Sequence, residues 1–195
     1  MRGLALILAL LAGPAAADSL PALYDVTGVA AGDVLNIRAE GKAEAAVVGT
    51  LPPDAKAVEV VEESGNWGLV NTGEGSGWVN LRFMARQPGP DWFALETPLR
   101  CLGTEPFWSL GVEPATGVAV YSTPEGGDRF TTVTARWPGT PYSASAAIAL
   151  PEGFAVLTGG YCSDGMSDRA FGIRADLFLT GDPAARMAGC CTLAP

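Results

Sequence analysis

The sequence contains no histidine among its 195 residues. Histidine is the commonest general base and a common metal ligand, since it titrates near neutral pH. Its absence excludes the usual Ser-His-Asp hydrolases and the usual histidine-based zinc sites. Lysine is almost absent as well, because the chain carries only Lys42 and Lys56. Ser163 and Ser167, which lie in a polar stretch of the second half, therefore lack both a histidine and a nearby lysine as base.

Positive charge is scarce along the whole chain. Lysine and arginine together number 12 against 21 aspartate and glutamate residues, so the net charge is −9. Nucleic acids and anionic membranes attract proteins with dense clusters of cations. We therefore expect neither as a partner.

Long apolar runs are absent beyond the N-terminus, which reads "MRGLALILALLAGPAAADSL". A positive Arg2, an apolar run over Leu4–Leu11 and the small residues Ala15–Ala17 are typical of a secretory signal peptide. We predict a signal peptide over residues 1–17, cleaved between Ala17 and Asp18, and a periplasmic or secreted protein. No later run reaches the ~18 apolar residues of a membrane span, so none is predicted.

Cysteine is absent from the first half, and the second half has four: Cys101, Cys162, Cys190 and Cys191. An even number of cysteines in an exported protein predicts disulfides. Adjacent residues of an extended chain point to opposite faces, so a bond between Cys190 and Cys191 is excluded. Two pairings stay open, and both join the adjacent pair to Cys101 and Cys162.

Helical periodicity is missing from both halves, which instead contain short runs rich in valine, threonine and aromatic residues, such as "KAVEVVEE", "GVAVYS" and "FAVLTGG". Such runs between glycine and proline turns predict an all-β protein. We expect a small barrel over residues 22–86, a proline-rich linker over 87–98 and a β-barrel or sandwich over 99–195. The linker residues Trp92 and Phe93 are expected to dock onto one of the two domains.

The first half contains "LNIR", "VVGTL", "VEVVEESGNWGLV" and "GWVNLRFM" in that order. With these motifs it resembles the bacterial SH3-like (SH3b) domain, which implies an SH3-like barrel that binds peptidoglycan or its peptides. Where family members usually carry a Ser-Gly-Pro turn after "LNIR", this chain has "AEGKAEA", so a loop that often borders the ligand groove is altered. Tyr24, Trp67 and Trp78 are candidates for a stacking surface on the ligand, or alternatively for core residues.

The second half contains "GTEPFWSL", "CSDGMSDR" and a terminal "GCC". With these motifs it resembles a family of exported bacterial domains that are sometimes fused to SH3b modules. The resemblance implies the disulfides Cys162–Cys190 and Cys101–Cys191. The second of these would join the first strand of the domain to its last. The resemblance implies no biochemical activity.

The stretch "CSDGMSDR" combines a cysteine, two serines, two aspartates and an arginine in eight residues. Asp164, Asp168 and Arg169, together with Glu105, are candidates for a carboxylate-based hydrolase site. The oxygen ligands and spacing of a calcium loop are missing, and so is a zinc motif, so no metal and no cofactor are predicted. The favoured interpretation is a polar turn, in which Met166 folds inward and Arg169 pairs with one of the three carboxylates.

The small residues of "SASAAIAL", at 143–150, leave two alternatives, a ligand cavity or tight packing of the sheet. Taken together, the sequence predicts an exported cell-envelope binding protein that recognises peptidoglycan or a wall-associated partner through its SH3b-like domain. An envelope hydrolase that uses the carboxylates of the second domain is one alternative. A scaffold that docks an envelope protein is the other.

Overall fold

The computed structural model describes residues 19–73 and 75–193, which form an all-β structure with two single-turn 3-10 helices at Leu81–Phe83 and Trp92–Ala94. The predicted signal peptide and its cleavage site lie outside the described residues. No helix within the described residues is long and apolar enough to cross a membrane. The strands of the N-terminal half are β1 (Ala22–Val26), β2 (Leu35–Arg38), β3 (Val47–Leu51), β4 (Val58–Val60), β5 (Glu62–Ser64), β6 (Trp67–Thr72), β7 (Gly75–Asn80) and β8 (Met84–Arg86).

The N-terminal half consists of two sheets around one small core. One sheet has the order β4-β1-β8 and the other has the order β3-β2-β7-β6-β5. On β2, Leu35 and Ile37 are buried while Asn36 and Arg38 are half-buried, as the alternating sequence predicts. The buried residues shared by the two sheets are Ala22, Tyr24, Val26, Leu35, Ile37, Val60, Val70, Val79 and Met84. This half is therefore held by packing and strand pairing without a disulfide.

The C-terminal half is one antiparallel sheet of nine strands, curled into a half-barrel. Its strands are β9 (Leu99–Thr104), β10 (Phe107–Glu113), β11 (Val118–Thr123), β12 (Gly127–Thr132), β13 (Ala135–Trp137), β14 (Ser145–Leu150), β15 (Gly153–Cys162), β16 (Phe171–Leu179) and β17 (Ala185–Leu193). The spatial order is β12-β11-β10-β9-β17-β16-β15-β14-β13. The first strand of this half, β9, thus pairs with the last, β17. We call the face with the buried alternate residues the inner face and the opposite face the outer face.

The linker between the halves completes the core on the inner face. Trp92, Phe93 and Leu95 are all at most 5% exposed and belong to the same buried cluster as the strands of the C-terminal half. Trp92 lies against Gly159, where an added Cβ would come within 3.1 Å of the indole. A Cβ added at Gly159 would also come within 3.1 Å of the Cβ of Ala144. The small residues of "SASAAIAL" therefore allow tight packing around the linker aromatics, which was one of the two alternatives.

Two disulfides join the strands of this sheet, Cys101–Cys191 and Cys162–Cys190. They are the two pairs that the family resemblance implied. Cys101 and Cys191 lie directly opposite each other on β9 and β17, with Cα atoms 3.9 Å apart. Cys190 points to the outer face and bonds Cys162 at the end of β15, with the Cα atoms 5.7 Å apart. Alternation along β17 thus lets adjacent cysteines hold the two faces separately.

The first contact between the two halves is made by the five-stranded sheet of the N-terminal half. The Asn71 side chain donates to the carbonyl oxygen of Ala170 and accepts from its N–H, both at 2.9 Å. Val61, Leu69 and Ala170 form a small buried cluster against which Trp78 packs. Asn71 therefore closes a two-bond bridge between the halves beside an apolar contact.

A second contact joins β4 to the last strand. The Glu59 carboxylate accepts from the N–H of Leu193 at 2.9 Å and from the hydroxyl of Thr192. Burial raises the pKa of Glu59, although these hydrogen bonds and the charge of Arg169 act in the opposite direction. A carboxylate of one half thus caps a strand of the other.

Candidate binding site

The polar loop between β15 and β16, residues 163–170, is organised around Asp164. Its Oδ1 accepts from the backbone N–H groups of Met166 and Ser167 at 3.0 and 2.9 Å, and its Oδ2 accepts from the Ser167 hydroxyl at 2.9 Å. Gly165 adopts a positive φ of 73°, which glycine reaches without strain. The sequence favoured such a polar turn, in which an aspartate side chain accepts hydrogen bonds from backbone N–H groups two and three residues later.

The charge state of Asp164 follows from these bonds. Partial burial acts to raise the pKa of Asp164, but the hydrogen bonds from Ser167 and Met166 outweigh it and lower that pKa below its ordinary value. A general acid of a glycosidase needs a raised pKa instead. Asp164 is therefore ionised and already committed to the turn.

Two expectations for this loop are not met. Met166 was expected to fold inward, yet it is 69% exposed, and the hydrogen bond from its N–H to Asp164 fixes the turn in this position. Arg169 was expected to pair with a carboxylate, but within the described residues no ion pair joins it to Glu105, Asp164 or Asp168. Its guanidinium lies 5.5 Å from the ring centroid of Phe171 instead.

The loop also reaches the N-terminal half. The carbonyl oxygen of Asp168 accepts from the Ser76 hydroxyl at 3.1 Å, next to the Asn71–Ala170 bridge. The carbonyl oxygen of Asp164 accepts from the Thr104 hydroxyl at 2.9 Å. One end of the loop is thus fixed to the β9–β10 hairpin and the other to the SH3-like half.

Two grooves on the outer face flank this loop. The large groove has a volume of about 1030 Å³ and lies above β9, β17 and β16. The small groove has a volume of about 580 Å³ and lies above β9, β10 and β11. Both are lined by Leu102, Thr104, Phe107, Asp164 and Met166, so the tip of the loop separates them.

The structure brings some of the candidate catalytic residues together and leaves others apart. Glu105 and Asp164 both line the large groove. Asp164 and Arg169 both line the small groove. Asp168 lines neither of them; it is exposed beside Gly75 of β7, with its Cβ 3.9 Å from the position of an added Cβ there. The four residues therefore do not surround one cavity.

The three aromatic candidates of the N-terminal half also lie in different places. Tyr24 is only 6% exposed in the barrel core, and its hydroxyl donates to Glu63 at 2.8 Å. Trp78 is half-buried at the contact between the halves. Trp67 is half-buried beside Gly41, where an added Cβ would lie 3.1 Å from the indole. Trp67 therefore borders the "AEGKAEA" loop at Gly41.

Sequence reasoning missed several residues of these surfaces. Asn71 and Glu59 carry the contacts between the halves, and no local pattern marks them because their partners are 99 and about 134 residues away. Arg174 and Arg186 line the large groove from neighbouring strands. Strand alternation, followed along β16 and β17, places both on the outer face and could have identified them.

Metal ligands are not clustered in the part of the chain that the structure describes. Within residues 19–73 and 75–193, no group of three or more cysteine, aspartate and glutamate side chains could hold a metal ion. The cysteines are joined in the two disulfides.

Comparison with known protein families matches residues 33–85 to the bacterial SH3 domain. Residues 33–85 are a bacterial SH3 domain. The match runs from just before β2 into β8, whereas β1 lies outside it. No curated protein and no solved structure matches the chain. Nothing in these comparisons identifies the C-terminal half, so its resemblance to an exported domain family stays a prediction.

Proposed function

We propose that this protein is an exported cell-envelope binding protein that recognises peptidoglycan or a wall-associated partner through its SH3 domain. The observation that carries the proposal is the match of residues 33–85 to a family whose members generally bind the bacterial cell wall. The SH3 domain and the two disulfides indicate an extracytoplasmic location. A periplasmic or secreted protein with the domain division 22–86, 87–98 and 99–195 is the arrangement that we propose.

Trp67 is the side chain on which we centre the wall-binding surface. Tyr24 is buried in the core, and Trp78, which is half-buried like Trp67, packs against the contact between the halves, so Trp67 is the candidate ring that is not engaged there. The loop beside it is shaped by hydrogen bonds from Arg38 Nη1 to the carbonyl oxygen of Ala45, at 2.8 Å, and between Ala39 and Ala46, at 2.9 Å. An indole next to a shaped loop is suited to pack against a peptide or sugar.

The test is co-sedimentation of the intact protein with purified peptidoglycan, comparing wild type, Trp67→Ala and Tyr142→Ala. Tyr142 is 100% exposed in the C-terminal half, so it controls for the loss of an accessible aromatic ring. We expect Trp67→Ala to weaken binding at least tenfold, as truncation of an aromatic hot spot does, and Tyr142→Ala to bind like wild type. Circular dichroism verifies that both variants are folded.

Absence of sedimentation by the wild-type protein would contradict the proposal. Together with a specific envelope protein in a pull-down, it would favour the scaffold alternative, in which the barrel docks a protein partner. Equal binding by wild type and Trp67→Ala would keep wall binding but move the surface away from Trp67.

An envelope hydrolase is the second candidate, and the observation that favours it is that Glu105 and Asp164 line the same groove. Asp164→Asn separates this function from a structural turn, and Asp168→Asn is the control, because Asp168 lines neither groove. If Asp164→Asn loses only stability, the hydrolase fails. If Asp164→Asn keeps the wild-type melting temperature but abolishes turnover of wall material, the turn interpretation fails.

A further inference from the structure

The large groove on the C-terminal half has one unpaired charge of each sign. The Glu105 carboxylate makes no hydrogen bond or ion pair with a described residue, and it stands in the exposed β9–β10 turn. Arg174 donates through Nε to the carbonyl oxygen of Tyr161 at 3.0 Å, which leaves its two terminal nitrogens for a ligand. The other charges of the groove are committed, because Asp164 bonds its own turn and Arg186 pairs with Asp176 at 2.7 Å.

The middle of the groove is apolar and shallow. Its floor contains Leu102, Ala188 and the Cys162–Cys190 disulfide. Phe107 and Met166, which are 52% and 69% exposed, stand beside it. Exposed large apolar side chains beside an apolar floor suit a ligand whose central groups are small and apolar.

The strand register gives an approximate separation of the backbone at Glu105 and Arg174, taking the sheet as locally flat. Arg174 is level with Cys190 and Leu102, two strand spacings from β9, which is about 10 Å. Glu105 follows Leu102 by three residues, or about 10 Å along the strand. The two backbone positions are therefore about 14 Å apart on the diagonal, and the long side chains shorten the gap between the charged atoms. An extended peptide of three to four residues spans about 10 to 14 Å.

We propose that the large groove binds a short peptide of small apolar residues with a free amino and a free carboxyl terminus. The ammonium group pairs with Glu105, the carboxylate accepts from the guanidinium of Arg174, and the methyl-sized side chains lie between Phe107 and Met166. This site is separate from Trp67, so it does not depend on the ligand of the SH3 domain. Peptides released from the wall and peptides released from proteins share this chemistry.

The test is isothermal titration of the intact protein with trialanine, N-acetyl-trialanine and trialanine amide. We expect trialanine to bind, and we expect either blocking group to weaken binding at least tenfold. Glu105→Gln should weaken trialanine binding to the same degree, and this variant should bind trialanine and N-acetyl-trialanine with equal affinity. Arg174→Gln should likewise bind trialanine and trialanine amide with equal affinity. Each protein change and the matching ligand change thus form a double-mutant cycle, which isolates the interaction between the two groups. Both side chains are exposed, so neither change should affect folding.

Arg129→Gln is the matched control, since Arg129 is an exposed arginine of the same sheet that lies outside the groove. It should bind like wild type. A tripeptide ending in D-Ala-D-Ala distinguishes the sources: tighter binding than trialanine indicates wall peptides, and weaker binding indicates protein-derived peptides. Failure of trialanine and of the D-Ala-D-Ala peptide to bind, or equal affinities for wild type, Glu105→Gln and Arg174→Gln, would overturn the proposal. Sedimentation with peptidoglycan would be unaffected by that result.

Discussion

The two halves of this protein solve the problem of a small β core in different ways. The N-terminal half wraps two short sheets around one shared buried core and uses no covalent link. The C-terminal half curls one sheet into a half-barrel and fills its inner face with the linker, while two disulfides hold its strands. The comparison teaches that the half-barrel depends on elements outside its own strands, whereas the N-terminal half depends mainly on its own packing.

Removal of the inner disulfide should produce the largest effect and should affect the two halves unequally. Cys101 and Cys191 close a loop of 90 residues, for which chain entropy predicts about 4.5 kcal/mol of stabilisation. We expect the Cys101→Ala/Cys191→Ala variant to lose amide protection in β9, β16 and β17 and to keep much of it in β2, β6 and β7. Hydrogen exchange measured by mass spectrometry resolves the two regions.

The outer disulfide provides the comparison for that experiment. Cys162 and Cys190 close a loop of 28 residues, and the same reasoning gives about 3.5 kcal/mol. The Cys162→Ala/Cys190→Ala variant should therefore lose less protection, centred on the 163–170 loop. Equal losses in both halves after either change would show that the halves unfold as one unit.

Trp92 tests whether the linker is part of the C-terminal core. Its indole is 2% exposed and donates to the carbonyl oxygen of Leu20 at 3.2 Å. We expect Trp92→Ala to reduce the free energy of unfolding by about 3 to 5 kcal/mol, as for other buried aromatics, and this is measured by urea denaturation. Trp137→Ala, at a 56% exposed position of the same sheet, should have little effect. A similar loss for both variants would contradict the role of the linker.

Trp92 also illustrates how much the sequence could predict. A large apolar residue in a proline-rich linker predicts docking, and the alternation in "LNIR" predicts the buried face of β2, because both depend on local composition. The pairing of β9 with β17 followed from the implied Cys101–Cys191 disulfide. All other neighbours in this sheet are consecutive strands, and the choice between a barrel and a sandwich, which the sequence left open, depended on how far the sheet curls. The outward Met166 was missed because hydrogen bonds to Asp164, and not apolarity, decide its position.

Asn71 tests the coupling between the halves directly. Its amide makes both bonds to Ala170, and its removal leaves a backbone N–H and a carbonyl without these partners at the contact. We expect Asn71→Ala to reduce the free energy of unfolding by about 2 kcal/mol and to separate the thermal transitions of the two halves in calorimetry. Asn36→Ala is the control, because the Asn36 side chain on β2 of the same sheet makes no hydrogen bond to a described residue. An unfolding profile shared by both variants would contradict the bridge.

Glu59 tests the second contact between the halves, from β4 to β17, through its pH dependence, with the smallest expected effect. Burial raises the pKa of Glu59 in the folded protein, so the folded state binds this proton more tightly than the unfolded state. The resulting stabilisation is complete below the unfolded pKa and is lost as the pH rises through the folded pKa. Glu59→Gln cannot titrate, and its amide can accept from the Leu193 N–H and donate to the Thr192 hydroxyl.

We therefore expect Glu59→Gln to gain stability relative to wild type as the pH rises from 4 to 8, measured as melting temperature at each pH. The exposed Glu62 on β5 supplies the control, and the difference between Glu62→Gln and wild type should change less over this range. If the difference between wild type and Glu59→Gln is the same at every pH, the carboxylate is not destabilised by its position between β4 and β17. The Glu59 contact would then contribute the same stability at acidic and at neutral pH, through its hydrogen bonds alone.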